Sequence, residues 1–164
     1  MAKKKAIMTN AMRMLDKEKI SYEAVEYESD GEIGSHFGEK IAEMTGIPPE
    51  QAFKTLVVKG DKNGIAVCCI PVNKEVDLKK LAVVCGDKKV EMIHVKDLLA
   101  LTGYIRGGVS PLGMKKKYRT VFDSSCLSFD KIAVSAGICG CTLILNTNDL
   151  IKITDAKTHD VVFE

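Results

Sequence analysis

Two β-rich runs, Phe53 to Lys59 and Ile65 to Val72, flank Gly60-Asp61-Lys62-Asn63-Gly64. Asn-Gly is a strong turn signal, because both residues tolerate the positive φ that a tight hairpin needs. The segment therefore reads as a β-hairpin, and it fixes one antiparallel pair near the centre of the chain. Alternation along its first strand puts Lys54 on one face with Leu56 and Val58, and Phe53 on the other with Thr55 and Val57. A lysine on an apolar strand face stands either at a sheet edge with its head in water or in the wall of a pocket. Spacing leaves both open.

The remaining pattern places helices and strands around that hairpin. Thr9 to Lys17 reads as a helix with Ile7, Ala11, Met14 and Leu15 on one face. Tyr22 to Tyr27 alternates as a strand. Ser35 is placed to cap a helix from His36 to Thr45, which Gly46 ends before Pro48-Pro49. Asp77 caps a helix through Val84 that Gly86 closes; Lys89 to Ile93 is a short strand; Val95 to Leu101 is helical and stops at Gly103. Tyr118 to Phe122, Lys131 to Ser135 and Thr142 to Leu145 read as strands, Asn148 to Ile151 as a helical turn, and Val161 to Phe163 as a last strand. Strands with a few interspersed helices predict an α+β, mixed-sheet fold. A length of 164 residues, with no repeat or linker, predicts a single domain over 1–164.

Net charge is +2, so no global field favours a nucleic acid, and any such contact must come from a local patch. Tryptophan is absent and aromatics make up 5%, which argues against a base-stacking platform. The basic start Met1 to Lys5 is not followed by the apolar stretch of a secretory signal, and no run is long enough to span a membrane. The expectation is a cytoplasmic protein with no membrane partner, and six cysteines kept as reduced, mostly buried thiols. Cys139-Gly140-Cys141 lacks zinc-ligand spacing, so no metal and no cofactor is expected.

The stretch Gly107-Gly108-Val109-Ser110-Pro111-Leu112-Gly113 lies between two apolar segments. Such a loop presents backbone N–H and C=O groups, which suits a pocket that grips a small polar group through the main chain. The cations Lys115, Lys116, Lys117 and Arg119 follow it directly; they are a solvated face or a contact for phosphates. His36 and His94 have no paired acid or nucleophile in the sequence pattern, and no Ser-His-Asp or Cys-His set is visible.

Five collinear motifs carry a family resemblance: Phe53 to Val58; Asp77 to Ala82; Lys88 to Met92; Thr102-Gly103-Tyr104 with Gly107 to Gly113; and Val134-Ser135-Ala136-Gly137. Together they resemble the YbaK family of editing proteins that deacylate mischarged prolyl-tRNA, its free-standing Cys-tRNA(Pro) deacylases most of all. The resemblance implies a mostly antiparallel mixed sheet or barrel with surrounding helices, related to the editing domain of prolyl-tRNA synthetase. It implies a hydrolase that cleaves the aminoacyl ester, most directly cysteine on tRNA(Pro), without a protein nucleophile. In Cys-specific relatives the substrate's own thiol attacks the ester carbonyl; in Ala-specific relatives water does so with help from the ribose hydroxyl.

The same resemblance makes Lys54, Gly107 and Ser135 the catalytic candidates. Tyr27, Phe37, Thr55, Tyr104, Gly108, Ser110 and Thr142 are the substrate-binding ones, and Lys115, Lys116, Lys117 and Arg119 would meet tRNA. Relatives carry a basic residue and an aspartate where this chain has Cys139 and Thr142, a departure that bears on aminoacyl specificity. The implied partners are the acceptor end of aminoacyl-tRNA and prolyl-tRNA synthetase, with no role for DNA. The alternatives are a deacylase for alanine or another small aminoacyl group, and a non-catalytic module that binds tRNA or a synthetase.

Overall fold

The computed structural model describes residues 8–27, 43 and 45–163. Thr9 opens helix α1 (Asn10–Lys17) by accepting the Met12 N–H on its hydroxyl at 3.2 Å, a cap that satisfies one orphan donor of the first turn. Strand β1 (Tyr22–Glu26) follows, then a 3-10 turn at Pro49–Gln51. Strands β2 (Phe53–Gly60) and β3 (Gly64–Pro71) form the expected hairpin, in register from Phe53 opposite Pro71 to Gly60 opposite Gly64. Asp87 staples its turn from outside: one carboxylate oxygen accepts the N–H groups of Lys62 and Asn63, at 2.9 and 2.8 Å.

Asp77 caps helix α2 (Leu78–Cys85) and Gly86 closes it in the left-handed region, as the sequence predicts. Strand β4 (Val90–Met92) is followed by a 3-10 turn at Val95–Asp97 and helix α3 (Leu98–Thr102), two pieces where periodicity gives one helix. Strands β5 (Arg119–Asp123), β6 (Lys131–Ser135) and β7 (Cys141–Asn146) match their predicted runs to within a residue. Helix α4 (Thr147–Thr154) is longer than the predicted turn, because Asn146 caps it and Leu150 anchors it in the core. The last strand is β8 (Lys157–His159); of the predicted strand Val161 to Phe163, only Val162 makes an isolated bridge, to Val76. The predicted helix from His36 to Thr45, with its cap Ser35, lies almost wholly outside the described residues.

The strands form two sheets, β1-β7-β6, which is antiparallel, and β4-β2-β3-β5-β8. In the second, β5 runs parallel to β3 and β8 parallel to β5, so the fold is α+β with a mixed sheet. Among the described residues the sheets do not close into a barrel. A parallel neighbour requires a crossover, and the crossover from β3 to β5 carries α2, β4, α3 and the glycine loop. That connection brings the loop back over β2. One core packs Leu15, Phe53, Phe122, Leu143 and Leu150 between the sheets; a second packs Val58, Cys68, Ile70 and Leu81 beneath α2. Phe53 and Val58 belong to different cores, as strand alternation requires.

Candidate active site

Strand β2 is only partly covered along one edge. β4 pairs with it from Val58 to Gly60, and upstream Ala52 makes a single bridge to Ala133 of β6. Between those points the edge of β2 has no strand partner among the described residues. The Ala52 carbonyl accepts the Val72 N–H at 2.8 Å on the β3 side, and the Val57 carbonyl accepts the Ile93 N–H at 3.2 Å on the other. Strand groups point alternately to the two sides, so the backbone groups of Phe53 and Thr55 point toward the uncovered edge. A cavity of about 510 Å³ occupies this gap. Its walls are the β2 edge, the glycine loop at Arg106, Gly107 and Val109, and a third side made by Tyr27, Ser135 and Thr142.

The edge position explains why Lys54 and Thr55, on opposite faces of the strand, both line one cavity. The two sequence readings of Lys54 are therefore the same place: the edge of the sheet is the wall of the pocket. Lys54 is half-buried. Burial pushes its ammonium below the usual lysine range, and Glu75 partly offsets this. A depressed lysine in a cleft is a recognised mark of a working site.

The glycine loop is held from behind. The Tyr104 hydroxyl donates to the Leu112 carbonyl at 2.6 Å, and its ring packs with Val57 and Val109. Burial pushes this phenol up to about 12, so it is a neutral donor at any ordinary pH. The Ser110 hydroxyl is fully buried and accepts the Leu112 N–H at 3.2 Å. Gly108 lies against the Ile138 backbone, where an added Cβ would stand 3.1 Å from the Ile138 carbonyl carbon. Tyr104, Gly108 and Ser110, expected to touch substrate, thus do not line the cavity. They fix the loop whose Gly107 does.

The cavity's hydroxyls are disposed differently. The Ser135 hydroxyl accepts the Gly137 N–H at 3.2 Å, which leaves its own proton for a ligand. The Thr142 hydroxyl donates to the Val134 carbonyl at 2.8 Å, which leaves only acceptor capacity. Thr55 Oγ1 lies 3.6 Å from the Cys69 thiol. Phe37 lies outside the described residues. Sequence reasoning missed the apolar mouth made by Met92, Ile93, Val95 and Leu98, and it missed Arg106, whose one signal is a lone cation just before Gly107-Gly108.

Of the basic run, Lys115, Lys116 and Lys117 are exposed beyond the loop, and Lys117 pairs with Asp155 at 3.4 Å. Arg119 points elsewhere. It donates to the Cys85 carbonyl at 2.9 Å and stands 3.8 Å from the Asp87 carboxylate, so it ties β5 to the end of α2. Cys68, Cys69, Cys85, Cys126 and Cys141 are buried, as expected of most of the six, while Cys139 is exposed on the turn between β6 and β7. Burial pushes all five buried thiols above the ordinary range, Cys126 to about 11 and Cys69 to about 12. Among the described residues no His, Cys, Asp or Glu cluster is arranged to hold a metal ion, and no helix is long and apolar enough to cross a membrane.

A family model for the aminoacyl-tRNA editing domain matches residues 36–153. The chain is 45% identical to a protein of Enterococcus faecalis provisionally named Cys-tRNA(Pro)/Cys-tRNA(Cys) deacylase EbsC, over 98% of each chain. It is 27% identical to the multifunctional Ser/Thr-tRNA deacylase ProXp-y of Escherichia coli, over 96% of this chain and 93% of that one. A segment of 78 residues is 36% identical to proline–tRNA ligase 1 of Streptomyces avermitilis, covering 48% of this chain and 14% of the ligase. Among solved structures, one described provisionally as a trans-editing enzyme for prolyl tRNA synthetase superposes with a TM-score of 0.82 at 20% identity, over 97% of this chain and all of that one.

Proposed function

The chain belongs to the aminoacyl-tRNA editing family, and on that premise we propose that it removes a wrongly attached amino acid, cysteine on tRNA(Pro) foremost, by cleaving the aminoacyl ester. The observation that carries the reading is the cavity itself. A half-buried lysine on a free strand edge faces a braced glycine loop and the Ser135 turn, in a space sized for an aminoacyl group. The described lining residues include no nucleophile paired with a base. An aminoacyl ester is labile enough that the site need only hold its carbonyl and place an attacking group. Backbone N–H donors aimed at the developing oxyanion contribute ~10²–10³ in rate each, and in this reading the amides of Gly107 and Thr55, both in the cavity wall, supply them. For a cysteinyl ester the substrate's own sulfur attacks the carbonyl carbon. The C–O bond to the ribose breaks, the ribose oxygen takes up a proton, and a cyclic thiolactone leaves.

Lys54 supplies positive charge beside the ester, Ser135 donates its free proton, and Tyr27, Thr55 and Thr142 shape the aminoacyl pocket; Phe37 joins them on the family pattern alone. The selective need is physical. A synthetase pocket for proline separates small side chains by only about 1–3 kcal/mol, so a second hydrolytic site is required. Residues 1–164 act as one editing domain, in the cytoplasm where tRNA is charged, with prolyl-tRNA synthetase as the partner that directs it to tRNA(Pro). Rates of deacylation of Cys-, Ala-, Ser- and Pro-tRNA(Pro), measured side by side, test the reading; the cysteinyl substrate should be fastest and the prolyl substrate spared. Hydrolysis of none of them sinks it. A second reading, preference for seryl or threonyl esters, is favoured by the hydroxyls of Thr55, Ser135 and Thr142 around the cavity. The same panel, extended to Thr-tRNA, decides between them.

A further inference from the structure

Arg106 is the most prominent feature of the cavity that this mechanism leaves unused. It lines the mouth and is exposed. Among the described residues its guanidinium has no hydrogen-bond or ion-pair partner, and only its backbone is engaged. Its carbonyl accepts from the Cys139 thiol at 3.7 Å, and the Gly108 N–H closes the turn onto the Ile105 carbonyl at 2.9 Å. The side chain therefore springs from a loop held at two points while its head has no partner among the described residues. The other cation in the lining is Lys54, and no carboxylate stands among the described lining residues. Two cations and no carboxylate among the described lining residues mark a place for an anion. A guanidinium forms paired hydrogen bonds to phosphate oxygens. The exposed flank around it, Ile105, Val95 and Met92, is apolar and offers a surface to a nucleoside.

We propose that Arg106 is a substrate-positioning residue that grips the 5′-phosphate of the terminal nucleoside while the ester it carries enters the cavity. The inference rests on the deacylase reading for its substrate. Lys54 then lies toward the reacting ester and Arg106 at the rim, so the two cations divide the substrate between them. Phosphate at the rim also gives a reason for the arginine to stand on the braced loop. A fixed anchor sets how deep the ester reaches.

The experiment compares wild type, Arg106→Ala and Arg106→Lys in two assays. Kinetics use 3′-cysteinyl adenosine, the same ester of adenosine 5′-monophosphate, and Cys-tRNA. Equilibrium titration uses adenosine against adenosine 5′-monophosphate and needs no catalysis. In wild type the phosphate should raise kcat/KM and affinity about tenfold, the size expected for hydrogen bonds to a charged group. Arg106→Ala should erase that increment, mainly through KM, and lower the slope of log affinity against log salt for tRNA by about one. Arg106→Lys should keep part of it. Retention of the full increment by Arg106→Ala, or equal binding of nucleoside and nucleotide by wild type, overturns the proposal. If no ester is hydrolysed but the nucleotide preference is present and is lost in Arg106→Ala, the deacylase reading falls and the anion anchor stands.

Discussion

The two long walls of the cavity are built in opposite ways. The strand wall, Ala52 to Val57, is one side of a hairpin paired along its other side with β3, and its polar groups face the gap because no described strand pairs with that edge between the Ala52–Ala133 bridge and Val58. The loop wall, Arg106 to Val109, has no ladder at all. Its shape comes from side-chain braces behind it: Tyr104 and Ser110 on Leu112, and Gly108 against Ile138. The strand wall is rigid because of backbone pairing, and it has a place for a charged side chain. The loop wall is rigid only while its braces hold, and apart from Arg106 it offers backbone. The difference predicts that damage to the first wall removes chemistry without unfolding, whereas damage to the second removes shape.

Lys54→Ala should give the largest loss of activity. Charge is removed but little packing, so turnover should fall at least about a hundredfold, in the range of losing one oxyanion-stabilising group, with thermal unfolding little changed. Near wild-type turnover would show that the lysine is only a solvated edge residue. The pH profile gives the sign. Burial favours the neutral amine, so activity that needs the ammonium should decline as pH rises, at lower pH than for a free lysine. That alkaline limb should vanish in the residual activity of Lys54→Ala.

Gly113→Ala strikes the far end of the loop wall. Gly113 has φ +70, and a Cβ there would stand 2.6 Å from the Asn10 carbonyl carbon and 2.7 Å from the Ala11 nitrogen. Left-handed backbone costs about 1–2 kcal/mol for a residue with a side chain, and backbone cannot yield as a flexible side chain can. Destabilisation of roughly 3 kcal/mol is expected, read as a fall in the denaturant midpoint. A loss below about 1 kcal/mol would mean that the loop moves off α1 freely and is not braced there.

Tyr104→Phe separates brace from ligand. It deletes the hydroxyl that satisfies the Leu112 carbonyl, so about 1–2 kcal/mol of stability should go. If Tyr104 contacted substrate directly, KM would change while stability did not. The phenol is raised from its ordinary 10.0 to about 12 by burial. Its contribution is fully present below pH 10 and lost as pH climbs through about 12. Wild type should therefore lose stability across that window, and Tyr104→Phe should lose less.

The contrast between the walls also explains what the sequence made legible. The strand wall was readable because period-two alternation and Asn63-Gly64 are local signals, and Lys54 stood out against Leu56 and Val58. The sequence pattern found the glycine loop but not its orientation, since which side of Tyr104 or Ser110 faces substrate depends on Leu112 and on a crossover spanning residues 72–118. Arg106 escaped for the same reason, because a lone exposed cation has no periodicity. Strand β8 escaped because Lys157-Thr158-His159 is short and polar; it forms only because β5 presents a free edge. The sequence offered an edge as one reading of Lys54 but not the extent of the open stretch of β2, since that depends on where β4 stops.

The smallest effects on activity should come from the cations that follow the loop wall, and they test whether that wall alone carries tRNA. Lys115 and Lys116 are exposed, and Lys117 is partly neutralised by Asp155. Arg119 sits in the sheet with its guanidinium committed to Cys85 and Asp87. Charge reversal of Lys115 and Lys116 together should therefore weaken Cys-tRNA(Pro) and Cys-tRNA(Cys) equally, each by a few-fold, and lower the salt dependence by about two phosphate contacts. The equality follows from the surface, because a few phosphate contacts without base-edge or stacking contacts read no sequence. Arg119→Ala should behave in the opposite way. It leaves the Cys85 carbonyl and the buried Asp87 carboxylate without their cation, so stability should fall by about 1–3 kcal/mol while the salt slope stays that of wild type. A marked preference for tRNA(Pro) by the isolated protein, or a salt slope that falls with Arg119→Ala, would place recognition on the sheet side and reverse the division of labour between the two walls.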